Sequence, residues 1–179
     1  MREGAFPDPD EPIDAGGRRK AEGLVIRPAP DLVLTAPTLA ARQTAEALGY
    51  AARPEPALAD SEFGVWQGRS LVDLQESEPE ALIRWIQDPT PGAPGGEAFA
   101  EVVQRVSAWM QSQARLDMRI LAVTHQNVMR AALAHGLDMP PNAAFRIDIA
   151  PLTMLTVSFN GQWRLQGLSD ARTVEGIFS

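Results

Sequence analysis

The side chains able to carry chemistry are few. The 179-residue sequence holds two histidines, His125 and His135, and no cysteine. Disulfides, thiolate metal sites and Cys nucleophiles are therefore excluded. Two imidazoles leave little scope for a His-rich metal site, and no cofactor is expected. His125 ends the run Arg119-Ile-Leu-Ala-Val-Thr-His125. A continuous apolar run of that length reads as a strand buried on both faces, as in a parallel sheet. Gln126 to Leu137 reads as a helix opening directly behind it. A His at the carboxyl end of a parallel strand lies where open α/β sheets bind ligands. The free N–H groups of the helix N-terminus favour an anion there. On these residues alone, a satisfied structural His is an equal reading. His135 lies near the far end of the same helix, roughly 15 Å away at 1.5 Å per residue. Packing, or a contact with the helix dipole, is its expected task.

The elements that must hold His125 follow from the pattern. Met1–Ile13 is polar, rich in Pro and Asp, and reads as loop. Asp14 caps a helix running to about Ile26, which Pro28 and Pro30 end. Asp31–Thr35 is a short apolar strand. Thr38–Leu48 reads as a helix closed by Gly49. Pro54–Gly68 holds Leu58-Ala-Asp60-Ser-Glu62-Phe-Gly64-Val-Trp66-Gln-Gly68 and reads as a shaped surface loop. Short helices are expected over Ser70–Glu78 and Glu80–Gln87, then a Pro/Gly-rich crossing over Asp88–Gly96. A long helix from Glu97 to about Leu116 carries the core stripe Phe99, Val102, Val103, Val106, Met110. Phe145–Ile149 and Leu152–Ser158 read as strands. Asn160-Gly161 is a hairpin turn returning through Trp163–Gly167. Asp170–Ser179 reads as a loose tail. Helices and strands alternate, so the class is α/β, in a single domain over 1–179.

Composition narrows the partners. The net charge of −7 argues against nucleic acid. No apolar run is long enough to span a bilayer and no signal peptide is visible, so a soluble, cytoplasmic protein acting on a small molecule is expected.

Four segments, in order, resemble one family. Ile13-Asp-Ala-Gly-Gly-Arg-Arg-Lys-Ala resembles its Leu-Thr-x-x-Gly-x-x-Gln-Ala start. Thr35-Ala-Pro-Thr-Leu-Ala-Ala-Arg-Gln-Thr-Ala45 resembles Thr-Ser-Pro-x-x-Arg-Ala-x-Gln-Thr-Ala. Leu58–Gly68 resembles Leu-x-Glu-x-x-Phe-Gly-x-Trp-Glu-Gly. Pro94-Gly-Gly-Glu97 with Val123-Thr-His125 resembles Pro-Gly-Gly-Glu-Ser with Val-Ser-His-Gly. This is the pattern of the histidine phosphatase superfamily, and the likeness covers about Ile13 to Leu168. It implies a three-layer α/β/α sandwich with a mostly parallel, phosphoglycerate-mutase-like sheet. It also implies hydrolysis of a small phosphorylated metabolite through a phosphohistidine, without a metal.

The resemblance implies roles residue by residue. His125 matches the family's second, phosphate-contacting His. Asp60 falls where the family has its acid Glu, one methylene shorter, with Glu62 the second candidate. A solvated loop carboxylate is nearly as good a reading of either. Gln126 stands where Gly is usual and is expected at the pocket with Glu62 and Trp66. Trp66, Trp85 and Phe63 are candidates for a pocket wall, although burial is the commoner fate of such rings.

Two departures bear on activity. The strand ending in Arg-His-Gly, whose His is the family's nucleophile, has no counterpart; Met1–Ile13 resembles the loop that follows it. Ala40 stands where the family has a phosphate-gripping Arg, and Arg42 lies roughly 200° further round the helix. These departures predict a truncated start, with weak or absent activity, or a non-catalytic relative binding a phosphorylated molecule or a protein. A missing inner strand would leave backbone groups unpaired. The chain is then expected to fold poorly alone, to form a homodimer, or to fill the gap with its own N-terminal segment.

Overall fold

In the computed structural model, which describes residues 4–170, seven α-helices and five strands follow in the order expected of an α/β chain. Helix α1 (Ala15–Glu22) starts where Asp14 accepts the Gly17 N–H at 2.8 Å, and ends at Gly23, short of Ile26. Strand β1 (Leu32–Thr35) leads into α2 (Leu39–Ala47), with Thr38 at its N-cap. β2 (Arg53–Pro54) is minimal. Helices α3 (Leu71–Ser77) and α4 (Pro79–Gln87) precede the long α5 (Phe99–Gln113). Strand β3 (Ile120–Val123) then delivers His125 to the N-cap of α6 (Gln126–Gly136). The short α7 (Pro141–Ala144) and the hairpin β4 (Thr153–Phe159) and β5 (Trp163–Asp170) complete the described chain.

The parallel sheet has the order β2-β1-β3, with Leu32 opposite Ile120 and Thr35 opposite Val123. This register aligns the carboxyl ends of β1 and β3, so that the starts of α2 and α6 lie side by side. The hairpin β4-β5 is antiparallel and forms a separate sheet. Gly161 turns it at φ +75°, a conformation that costs glycine little.

Two apolar clusters hold these parts. The larger joins Leu34, Leu58, Phe99, Val102, Val106, Met110, Val128 and Ala131, and so ties α5 and α6 to β1. Each fully buried aliphatic side chain stabilises the fold by about 1.5–3 kcal/mol. The smaller joins Phe6, Phe63, Trp66, Leu74 and Leu82.

Three expectations need correction. Phe145–Ile149 is not a strand: Arg146 and Ile147 donate their N–H groups to Ala143 and Ala144, continuing the turn after α7. Phe145 instead packs on Phe99, ring centroids 4.6 Å apart. Among the described residues, the N-terminal segment from Gly4 on does not join the parallel sheet: Ala5 bridges Ser70 and Phe6 packs among the smaller cluster. Asp170 belongs to β5, while 171–179 and Met1–Glu3 lie outside the described residues.

Candidate active site

The site forms where β1 and β3 end. Thr38 follows β1 and begins α2; His125 follows β3 and begins α6. Either residue could cap its own helix, yet neither helix receives a side-chain cap bond from it. The two side chains meet instead, with Thr38 Oγ1 2.8 Å from His125 Nε2. On the other side of the ring, His125 Nδ1 lies 3.6 Å from Asp60 Oδ2. The three form one line: hydroxyl, imidazole, carboxyl.

Asp60 is held from several directions. Its Oδ1 accepts the Ser61 N–H at 2.9 Å. Arg105 on α5 donates to the Asp60 carbonyl at 3.1 Å and the Ala57 carbonyl at 2.8 Å, while its guanidinium pairs with Glu97. Thr124, at the end of β3, donates to the Leu58 carbonyl at 2.7 Å. The Asp60 side chain is 11% exposed. Burial pushes its carboxyl above the usual carboxylate range, against the pull of His125, the Ser61 N–H and Arg105. A carboxyl held up in this way can carry a proton where an exposed one would not.

Behind His125 the helix continues the network. Asn127, buried, donates to Ser61 Oγ at 3.2 Å and accepts from Arg130 at 3.1 Å. Arg130 reaches on to the Ile147 carbonyl, stands over the Phe145 ring, and feels the charges of Asp148 and Asp60.

Of the residues expected at the site, the structure brings His125 and Asp60 together. Gln126 opens α6 beside His125, with its side chain exposed. Glu62 lies elsewhere, on an acidic cleft of about 310 Å³ with Gly96, Glu97 and Glu101. Trp66 is a correction: its side chain is fully buried, its ring packs against Phe6 and Trp85, and its N–H donates to Glu78 at 3.0 Å. Arg42 is exposed, as its helical angle from Ala40 predicts. His135 lies in the last turn of α6, its Nε2 buried without a hydrogen-bond partner among the described residues. Among the described residues, no group of three or more His, Cys, Asp or Glu is arranged to hold a metal. No helix among them is long and apolar enough to cross a membrane.

Thr38, Asn127 and Arg130 were not anticipated from the sequence. Asn127 and Arg130 carried a signal, being a polar pair three apart on a helix that starts at the candidate His. Thr38 carried none beyond its place at a helix start.

A parallel sheet flanked by helices, with a His and a buried acid brought together where its strands end, places the chain in the α/β class. The model of the histidine phosphatase superfamily (branch 1) matches residues 4–171, and the chain belongs to that family. Phosphoserine phosphatase 1 of Hydrogenobacter thermophilus is 26% identical over 160 residues, 83% of this chain and 75% of that protein. A bifunctional protein of Mycobacterium tuberculosis is 30% identical over 104 residues, 54% of this chain; the match spans only 28% of that protein's length. Among solved structures, the alpha-ribazole phosphatase of Shigella flexneri superposes with a TM-score of 0.82 at 23% identity, over 94% of this chain and 90% of that one. A mycobacterial glucosyl-3-phosphoglycerate phosphatase gives 0.79 at 21%, over 93% and 91%. The two structural likenesses, each below a quarter identity, speak for the fold.

Proposed function

We propose that this chain is a weak phosphomonoester hydrolase, acting on a small phosphorylated metabolite in the cytoplasm. The observation that carries this reading is the pairing of His125 with a buried carboxyl of raised pKa, at the start of α6. His125 contacts the phosphoryl group, the α6 N-terminus favours its charge, and Asp60 carries a proton for the departing oxygen. Membership of a phosphatase family, and relatives named as phosphatases, support it. Weakness follows from Ala40, which offers no guanidinium to the phosphoryl oxygens. Ala40 also favours the second reading, a relative that binds a phosphate ester without turning it over.

Turnover of an aryl phosphate and an alkyl phosphate by the chain tests this. His125→Ala is expected to abolish both. Asp60→Asn is expected to slow the alkyl ester about 100-fold or more, and the aryl ester less, because an aryloxide leaves without help. No turnover, with phosphate protecting the chain against heat, would establish the binding reading instead.

A further inference from the structure

A buried amide loses its hydration and must find hydrogen bonds inside the protein. Among the described residues two polar side chains are buried, Thr35 and Asn127. Thr35 bonds to the carbonyl of its neighbour Ala36. Asn127 reaches out of its own element: it is the second residue of α6, and its amide meets the loop that carries Asp60. We infer that Asn127 is a positioning residue, which sets the Asp60 carboxyl against His125 from the helix that His125 itself begins. The inference rests on the reading of Asp60 as the proton donor of a phosphomonoesterase.

The peptide between Asp60 and Ser61 is where the holds converge. Its carbonyl accepts from Arg105 on α5 at 3.1 Å. Its N–H donates at 2.9 Å to Oδ1 of the Asp60 side chain. The carboxyl therefore turns with this peptide, and Oδ2 is left to face His125 Nδ1 at 3.6 Å. An anchor from α5 alone would leave the peptide free to pivot. The second anchor comes from α6, where Asn127 Nδ2 donates to Ser61 Oγ at 3.2 Å. Asn127 and His125 stand two residues apart at one helix start. The bond thus ties the acid loop to the backbone that places the imidazole.

The direction of that bond is imposed by Arg130. An amide can offer a hydroxyl either its oxygen or its NH2, whereas a guanidinium only donates. Arg130 Nη1 donates to Asn127 Oδ1 at 3.1 Å, which turns the NH2 toward Ser61. Arg130 is itself fixed. Its Nε and Nη2 donate to the Ile147 carbonyl at 3.3 and 3.2 Å, and its guanidinium lies 5.4 Å from the centre of the Phe145 ring. A line of contacts therefore runs from the segment after α7, through α6, to the acid.

A displacement of about 1 Å in a catalytic group can cost on the order of 100-fold, and here the loss falls where the acid matters. Turnover of para-nitrophenyl phosphate and of n-propyl phosphate by the whole chain and its variants tests this. Asn127→Leu, similar in shape, is expected to lower kcat for the alkyl ester at least about 10-fold, with KM within about 2-fold. The aryl ester is expected to lose less than about 3-fold, because its leaving group needs no proton. In an Asp60→Asn background the same substitution is expected to change the alkyl rate less than about 2-fold, since the group it positions is gone. Ser61→Ala, which leaves α6 untouched, is expected to repeat the selective loss. Ser61→Thr, which keeps the hydroxyl, is expected to retain the parent ratio of the two rates. Should Asn127→Leu fail to fold, the two Ser61 variants decide the matter. Equal slowing of both esters, or an undiminished effect in the Asp60→Asn background, would overturn the inference and leave the phosphatase reading intact. A parent chain that turns over neither ester would overturn both.

Discussion

Asp60 is pulled two ways by its surroundings, and the balance has a measurable sign. Burial raises its pKa above the ordinary 3.8 more than His125, the Ser61 N–H and Arg105 together lower it. The native chain therefore keeps this proton at a pH where the unfolded chain has lost it. Stability contributed by Asp60 is fully present below 3.8 and is lost as pH rises through the higher native value. Asp60→Asn removes this titration. Denaturant melts at a series of pH values, from acid to neutral, are expected to show the parent losing stability relative to Asp60→Asn across that window. A constant difference between the two would show that burial does not dominate at Asp60. His125 and Asp60 were both legible in the sequence, because each stands in a motif with a spacing of its own. Thr38 was not, since its partner lies 87 residues away and only the register of β1 against β3 brings them together. Trp66 was misread because an aromatic in a Gly-containing loop looks the same in sequence whether it lines a pocket or fills a core.

Among the elements, α5 braces the loop that carries Asp60. Arg105 spans the gap, with hydrogen bonds to Glu97, Ala57 and Asp60. Its side chain is 24% exposed and that of Glu97 15%, so solvent screens the pair only in part. Arg105→Met keeps the stem but strands Glu97 and two carbonyls. It is expected to cost about 2–3 kcal/mol, a fall in thermal midpoint of about 5–10 °C for a domain of this size. Circular dichroism melts check it. A change below about 1 °C would mean that the loop holds without α5. The loop also interlocks with the crossing before α5, where Val65 donates to the Pro94 carbonyl and Glu97 to the Glu62 carbonyl. Gly96 permits this approach, because a Cβ there would collide with the Glu62 carbonyl oxygen. The helices themselves were legible from their apolar stripes. The failure at Phe145–Ile149 is instructive: Phe145, Ile147 and Ile149 alternate as in a strand, but after α7 the chain is still turning. Its apolar side chains pack without a ladder, and the Ile147 carbonyl serves Arg130.

At the scale of the whole molecule the sheet is divided. Among the described residues the parallel part ends at β3, and β4-β5 form their own ladder. The α/β class was readable from the alternation of elements, whereas this division depends on which strands find each other. Its consequence is written along β3 itself. Arg119 and Val123 turn their carbonyls to β1, accepting from Asp31, Leu32 and Ala36. In a parallel ladder this side alternates residue by residue, so Leu121 also faces β1 while Ile120 and Ala122 face away. Hydrogen–deuterium exchange should therefore pulse along a single strand. The amides of Leu121 and Val123 are expected to exchange slowly, and those of Ile120 and Ala122 quickly. Uniform protection of all four would show that another strand, from wherever it comes, has taken the open side. The alternation is thus a direct gauge of whether the strand leading to His125 stands at the border of its sheet or inside it.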